Sequence, residues 1–468
     1  MAWTSLTVDR DTWEQAGERL RAGSSSLVSL WGEPGVARLA LIDPSSHVEV
    51  LELPCSEQRF PSIGRVHPPA IRLERTMRDL AGLEAENAPD TRPWLRHAAP
   101  YPFLPAEGES LHQIPVGPVH AGIIEPGHFR FTANGETVVR LEERLGYVHK
   151  GIDALMAGAP VERAARLAGR VSGDSTVAYA IAFCHAVENA LGVHVPSRTA
   201  WLRALMAELE RLANHFGDIG AVCNDAAFSI MHASFGVLRE QVLRTADACF
   251  GHRLMMDCVV PGGTRSDLSA AGVQQVRALL AFARQEFPRL VELYEDTASL
   301  KDRTVDTGIL SPALAQQFAA GGYVGRASGR AFDARRTPGY PPYNELKFEV
   351  PVVQAGDVNA RVWIRIQEVE QSLALVEQIL QQLPAGPIST ALSPAADVRD
   401  GIALVEGFRG DIFAWVRIAA DGRVARCHLR DPSWFQWPLL EAAIEGNIVA
   451  DFPLCNKSFN CSYSGHDL

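Results

Sequence analysis

Residues 202–216 read Leu202-Arg-Ala-Leu-Met-Ala-Glu-Leu-Glu-Arg-Leu-Ala-Asn-His-Phe216. Large apolar side chains recur there at spacings of three and four: Leu202, Leu205, Leu209, Leu212 and Phe216. This spacing predicts an amphipathic helix over 198–217. Glu208, Arg211 and His215 share a second face of that helix. The simplest interpretation of this face is a solvated surface with one ion pair.

The pattern around this helix indicates a bundle of helices preceded and followed by strands. Apolar periodicity is helical from 161 to 282 and again from 362 to 382. Strand-like runs at 127–132 and 137–141 come before the bundle, and alternation at 412–418 indicates a return to strands.

The first 95 residues predict a separate small domain. Strand-like runs at 27–31, 37–42 and 48–53 precede a helical pattern at 70–83, and a proline-rich stretch follows. We therefore predict an α+β chain in three parts. These are a small N-terminal α/β domain (1–95), a linker (96–113) and a large domain (114–468) with N-terminal β-strands, a central helical bundle and a C-terminal α/β part.

Composition argues against several classes of function. The chain has 468 residues and a formal net charge of −11, whereas a nucleic-acid surface needs clustered Lys and Arg. No apolar run reaches the roughly 18 residues of a membrane span, and the first residues lack the pattern of a secretory signal. The eight cysteines include no C-x-x-C pair. We therefore expect reduced thiols, and no iron–sulfur cluster or zinc held by this chain alone.

Short blocks along the whole chain match one superfamily in order and spacing. In the large domain they are Ile114-Pro-Val-Gly-Pro-Val-His120, Tyr147-Val-His-Lys-Gly-Ile-Asp153, Glu208-Leu-Glu-Arg-Leu-Ala-Asn-His215, Pro261-Gly-Gly263, Thr307-Gly-Ile-Leu310, Arg326-Ala-Ser-Gly329 and Glu406-Gly-Phe-Arg-Gly410. They resemble the large subunit of energy-converting, formate-hydrogenlyase-type nickel–iron hydrogenases and the related D-type subunit of respiratory complex I. The block beginning Ile71-Arg-Leu-Glu-Arg-Thr-Met-Arg resembles the small C-type (30 kDa-like) peripheral-arm subunit of complex I, fused to the large one.

The departure from the hydrogenases concerns the metal ligands. Ser172, Ser175, Ser462 and Gly465 stand where the family has its four nickel cysteines. Nickel requires soft thiolate ligands, so the resemblance implies that all four have been lost and that this chain holds no metal. Asp153 matches a magnesium-binding glutamate, but its terminal histidine partner has no clear counterpart, so magnesium is not expected.

The resemblance also places side chains around the former metal position. The expected cavity-lining residues are His120, Arg170, Ser172, Asp174, Ser175, Arg409, Ser462 and Asp467. Arg170 aligns with the tyrosine that binds the quinone in complex I, so the resemblance does not extend to the complex I quinone pose. With the metal gone, an arginine and an aspartate could also neutralise each other and fill the cavity as a salt-bridged plug.

Two residues are the candidates for chemistry at this cavity. Glu125 matches a proton-relaying carboxylate, with a carboxylate in a local ion pair as the alternative. His128 is a candidate hydrogen-bond donor to a quinone or a proton shuttle, with a core histidine as the alternative. Arg409 matches the arginine above the metal pair and is expected to hold an anion or a quinone oxygen, or else to pair with Asp411 or Glu406.

The resemblance implies a role in a membrane-associated oxidoreductase. Electrons would pass from a [4Fe-4S] cluster in a partner small subunit to a quinone-like acceptor, in an NAD(P)H- or ferredoxin-linked complex with antiporter-like membrane subunits. The chain itself would hold no cofactor and lie peripherally at the cytoplasmic face of the inner membrane. The alternative is a cofactor-free scaffold that couples the cluster subunit to the membrane module.

Overall fold

A computed structural model describes residues 3–95, 100–120, 124–393 and 397–468. The first part contains a four-stranded sheet in the order β1-β4-β3-β2, with β1 parallel to β4 and the other pairs antiparallel. Its strands are β1 (Trp3–Thr7), β2 (Ser26–Glu33), β3 (Val36–Ile42) and β4 (Val48–Pro54). Two helices, α1 (Arg10–Arg21) and α2 (Ile71–Ala81), and a parallel pair, β5 (Arg59–Pro61) and β6 (Glu84–Glu86), complete this part.

Local sequence explains these elements. Asp9 caps α1 by accepting a hydrogen bond from the Thr12 amide at 2.9 Å, as short polar side chains do at helix starts. The helix α2 ends at Gly82, whose φ of +69° is the left-handed conformation that glycine adopts readily.

The large domain begins with an antiparallel three-stranded sheet. Its strands are β7 (Leu111–Val116), β8 (His128–Asn134) and β9 (Thr137–Arg144). The strand β7 starts inside the segment that the sequence assigns to the linker. Positions 96–99 of that segment lie outside the described residues, so the domain boundary stays a prediction.

Helices form the centre of the large domain. They are α3 (Ile152–Met156), α4 (Val161–Ala168), α5 (Thr176–Leu191), α6 (Ser197–Asp225), α7 (Ser229–Phe250), α8 (Ala270–Asp296), α9 (Ala298–Thr304), α10 (Pro312–Gln317), α11 (Gly322–Ala327) and α12 (Val358–Gln382). A short hairpin, β10 (Val259–Val260) and β11 (Gly263–Thr264), lies between α7 and α8. The helix α6 packs against both α7 and α12.

The apolar stripe predicted on α6 is confirmed, since all five of its side chains are buried. The interpretation of the other face as solvated is wrong. Glu208, Arg211 and His215 are at most 1% exposed. The physical reason is α12, which lies against that face and supplies charged partners such as Glu368, 153 residues after His215 in the chain.

The C-terminal part returns to strands, as predicted. It contains an antiparallel sheet in the order β12-β13-β14 and three helices: β12 (Arg399–Gly407), β13 (Gly410–Ile418), β14 (Val424–Arg430), α13 (Ser433–Ala443), α14 (Phe452–Phe459) and α15 (Tyr463–Asp467). The N-terminal sheet packs directly onto this sheet, with Trp31 5.5 Å from Phe413 and 5.7 Å from Trp415 between ring centroids. The α+β class is therefore confirmed. Among the described residues, no helix is long and apolar enough to cross a bilayer.

Candidate functional site

A cavity of about 320 Å³ lies where the start of α5, the β12–β13 turn and the α14–α15 segment meet. Most of its lining side chains are polar. The polar lining residues are Glu125, Ser172, Asp174, Asp225, Arg409, Asn456, Lys457, Asn460, Ser462 and Ser464. The other lining residues are Ile124, Gly173, Pro453, Cys461 and Tyr463. Five residues expected at the former metal position, Glu125, Ser172, Asp174, Arg409 and Ser462, therefore lie on one cavity.

A bidentate ion pair forms one wall of the cavity. Arg409 donates from Nη1 and Nη2 to the two Asp174 carboxylate oxygens at 2.7 and 2.6 Å. Burial opposes ionisation of Asp174, but the charge of Arg409 and its hydrogen bonds outweigh burial and hold the pKa of this carboxyl below its usual value. Arg409 therefore pairs with Asp174. The other candidate partners are engaged elsewhere, Asp411 with Arg430 and Glu406 with Arg326.

The serines in the cysteine positions bond to this pair and to each other. The Ser172 hydroxyl lies 2.8 Å from Asp174 Oδ1 and 2.9 Å from the Ser462 hydroxyl. Ser175 lies 3.4 Å from both Asp174 Oδ1 and Arg409 Nη1. The hydroxyls thus complete a hydrogen-bonded cluster around a carboxylate.

A nickel–iron centre does not fit this arrangement. Gly465 offers no ligating atom, and a Cβ atom there would lie 2.5 Å from Asp431 Oδ2 and 2.8 Å from the Ser462 hydroxyl, so a side chain would fit only if these two side chains moved. The remaining three positions offer neutral hydroxyls, which are poor ligands for a soft metal. Within the part of the chain that the structure describes, no group of three or more His, Cys, Asp or Glu side chains is arranged to hold a metal ion.

Of the two candidate chemical residues, Glu125 lines the cavity and His128 does not. Glu125 is exposed at the cavity wall, where its carboxylate accepts a hydrogen bond from the Ser464 amide at 3.1 Å. His128 is 8% exposed and is not among the cavity-lining residues. Its ring lies 3.3 Å from the Gly117 carbonyl and packs against Phe103. Burial lowers the pKa of His128, so this environment is that of a core histidine.

Four further expected lining residues are not among those that line the cavity: His120, Arg170, Ser175 and Asp467. His120 Nε2 bonds the Gly127 carbonyl at 2.7 Å. Arg170 makes a bidentate pair with Asp257 at 2.6 and 2.8 Å, so it does not pair with Asp174 or Asp467. Asp467 is fully buried and accepts from the Gly146 and Val148 amides at 2.8 and 3.0 Å. It fixes the turn before α3.

Sequence reasoning missed Asn460, which joins the cavity to the helices behind it. Its carbonyl accepts from Arg409 Nε, and its side-chain amide donates to Asp218 on α6 at 2.9 Å. Its φ of +45° ends α14 in the left-handed conformation. A helix-ending asparagine is a known sequence signal, but its partners are 51 and 242 residues away in sequence.

A second, sealed cluster of charges lies behind the cavity. Glu368 on α12 is 2.7 Å from His215 Nε2 and accepts a hydrogen bond from Arg326 Nε at 2.8 Å. Arg326 also donates to Glu406 on β12 at 2.9 Å. These four side chains are at most 1% exposed. The cluster therefore ties α6, α11, α12 and β12 together out of contact with water.

Known proteins are similar to this chain in sequence and in fold. The family described as "Respiratory-chain NADH dehydrogenase, 49 Kd subunit" matches residues 225–400. Formate hydrogenlyase subunit 5 of Escherichia coli (strain K12) is 31% identical over 445 residues, covering 89% of this chain and 78% of the relative. The carbon monoxide-induced hydrogenase of Rhodospirillum rubrum is 30% identical, covering 75% and 98%.

Two further similarities point the same way. A subunit of the NADH-quinone oxidoreductase of Roseiflexus sp. (strain RS-1) is 30% identical, covering 72% of this chain and 94% of the relative. A chain of the membrane-bound sulfane sulfur reductase, an archaeal respiratory membrane complex, superposes with a TM-score of 0.72 at 25% identity, covering 77% of this chain and 99% of that chain. The chain belongs to the family that unites the complex I 49 kDa subunit with the large subunits of membrane-bound hydrogenases.

Proposed function

We propose that this chain is the nickel-free large subunit of a membrane-associated oxidoreductase, and that its cavity receives the head of a quinone-like acceptor. Electrons would come from a [4Fe-4S] cluster in a partner small subunit. The complex would be NAD(P)H- or ferredoxin-linked and would include antiporter-like membrane subunits. This chain would lie peripherally at the cytoplasmic face of the inner membrane. The relatives support this assignment because they are named as a formate hydrogenlyase subunit, a carbon monoxide-induced hydrogenase and an NADH-quinone oxidoreductase subunit.

One observation carries the proposal. Three serines and a glycine stand in the expected cysteine positions, and about 320 Å³ of cavity remains open beside the Asp174–Arg409 pair. A plug would need these side chains to fill the space, and Arg170 contributes nothing because it pairs with Asp257. A small-molecule site requires an open cavity with polar groups that fix the ligand; this cavity has both, with a lining that is mostly polar and therefore suits the polar head of a ligand.

The chemistry is a two-electron, two-proton reduction of quinone to quinol. Both electrons would arrive from the partner's cluster, and both protons come ultimately from water. Glu125 is the carboxylate placed to pass a proton from solvent into the cavity, because it is exposed and lines the wall. Arg409 is a positioning residue, since both of its Nη atoms are engaged by Asp174.

The test is Glu125→Gln in the purified complex, assayed by reduction of a short-chain ubiquinone analogue. General acid–base roles contribute about 10²–10⁴-fold, so a loss of turnover of at least about tenfold is expected. Glu136→Gln, at an exposed carboxylate of the β8–β9 turn, is the matched control. Unchanged turnover in Glu125→Gln would reject the proton-relay role.

The second candidate is the cofactor-free scaffold. It is favoured by the neutralisation of Arg409 by Asp174, which leaves that guanidinium without a free charge to bind the acceptor. It is favoured also by the position of His128, which does not line the cavity. Under this alternative the complex assembles normally, and Glu125→Gln has no effect on electron transfer because the acceptor binds in another subunit.

A further inference from the structure

A larger cavity, of about 390 Å³, lies between the N-terminal part and the large domain. The N-terminal part supplies Leu30, Trp31 and Met77, from β2 and α2. The large domain supplies Asp153 and Ala157 from α3 and the residue after it, together with side chains of β14. Nothing in the redox mechanism uses this space.

The walls suit a flat apolar body. The Trp31 ring stacks on His428 with centroids 4.9 Å apart and planes 5° from parallel. Both rings are less than 10% exposed, so they form a rigid floor. Leu73, Met77 and Leu30 add aliphatic surface beside them. The size falls within the range of about 300–1,000 Å³ that is usual for small-molecule sites.

One carboxylate at this cavity, that of Asp153, has no arginine or lysine partner and no hydrogen-bond donor among the described residues. The Oδ1 atom of Asp153 is buried and accepts no hydrogen bond from them. Its Oδ2 atom is 3.7 Å from His428 Nδ1, beyond hydrogen-bond distance, while His428 Nε2 is occupied by the Ser29 hydroxyl at 2.8 Å. The Asp153 side chain is 25% exposed, so its Oδ2 atom, which has no hydrogen-bond donor from the described residues, can accept one from a ligand in the cavity.

The charges around the cavity select the kind of donor. Glu33 lines the cavity but is neutralised by Arg38 at 2.6 Å and Arg426 at 3.3 Å. Among the described lining residues, Asp153 is therefore the side-chain carboxylate without an arginine partner, and His428 at 3.7 Å is its nearest basic group. A protonated amine satisfies both the charge and the missing hydrogen bond, and charge-assisted bonds of this kind are the strong ones.

We propose that this interdomain cavity binds a small amphipathic amine, with its ring body on the Trp31–His428 floor and its ammonium group bonded to Asp153. Such a ligand would contact the N-terminal part and the large domain at once. Its binding would therefore stabilise the contact between them, since a ligand stabilises the state that it binds.

The experiment is calorimetric titration of the full chain, purified with its partner subunits, with 1-naphthylmethylamine and with 1-naphthylmethanol. The two probes share a ring and differ in charge. We expect saturable binding of the amine, with the alcohol at least about tenfold weaker, as the loss of a charge-assisted bond predicts. Asp153→Asn should remove this preference, and Asp421→Asn, at an exposed carboxylate, should leave it unchanged.

A second variant keeps the test valid if Asp153→Asn folds poorly. Ala154 is exposed at the mouth of the cavity, so Ala154→Phe should fold and should block both probes. Failure of the amine to bind the wild-type complex would overturn the proposal. So would an amine preference that survives Asp153→Asn, or amine binding that survives Ala154→Phe.

Discussion

Two groups of charged side chains flank the turn between β12 and β13, and they differ in their access to water. Glu406, on one side, belongs to the sealed cluster with Arg326 and Glu368, which are at most 1% exposed. Arg409, on the other side, pairs with Asp174, whose side chain is 36% exposed to the cavity. The same residue types thus serve two purposes. The sealed ion pairs hold helices and strands together, whereas the open pair lines a space that a small molecule can enter.

The sealed cluster should dominate stability. Glu368→Gln removes the charge that faces Arg326 and His215, and a stranded buried charge costs about 3–5 kcal/mol. We expect the free energy of unfolding of the complex, measured by denaturant titration, to fall by that amount. Glu370→Gln, an exposed position on the same helix, is the control and should stay within about 0.5 kcal/mol of wild type. Equal losses of stability at the two positions would show that the sealed cluster contributes no more to stability than an exposed carboxylate does.

The open pair should matter less for stability and more for activity. Arg409→Ala leaves Asp174 unpaired but able to take up water from the cavity, so we expect a loss of about 1–2 kcal/mol, below the buried-pair value. Turnover with a quinone analogue should fall because the cavity wall is no longer fixed. A stability loss as large as that of Glu368→Gln would mean that the cavity is closed in solution.

Acid should affect the open pair in a defined direction. Burial alone would raise the pKa of Asp174. The charge and hydrogen bonds of Arg409 lower it by more than burial raises it, so the pKa lies below the usual value of 3.8. A lowered folded-state pKa gives stability that is fully present above the unfolded value and is lost as pH falls through the folded value. The difference in unfolding free energy between wild type and Asp174→Asn should therefore be constant from about pH 5 to 7 and shrink below about pH 4. A difference that grows on acidification would contradict the assigned pairing.

The sequence predicts the cavity at the expected metal position better than it predicts the sealed cluster of charges. The loss of the metal ligands is a prediction that the sequence makes at Ser172 and Gly465, because the surrounding blocks set the register of the resemblance. The apolar stripe of α6 is equally visible from its spacing. The burial of Glu208 and His215 is not, since a charged helix face looks the same whether water or α12 covers it.

Long-range pairing is the other limit on what the sequence predicts. Arg409 and Asp174 are 235 residues apart, and local sequence offers Asp411 and Glu406 as nearer partners. The position of His128 outside the cavity escapes prediction for a related reason. A residue that begins β8 points to one face of its sheet or the other, and the strand register, not the motif, decides which.

Nickel content measured together with turnover tests the central claim, that the former metal site works as a nickel-free cavity. Elemental analysis of the purified complex should find nickel far below one atom per chain while the same preparation reduces a quinone analogue. Nickel near one atom per chain, lost together with activity on chelation, would contradict the account.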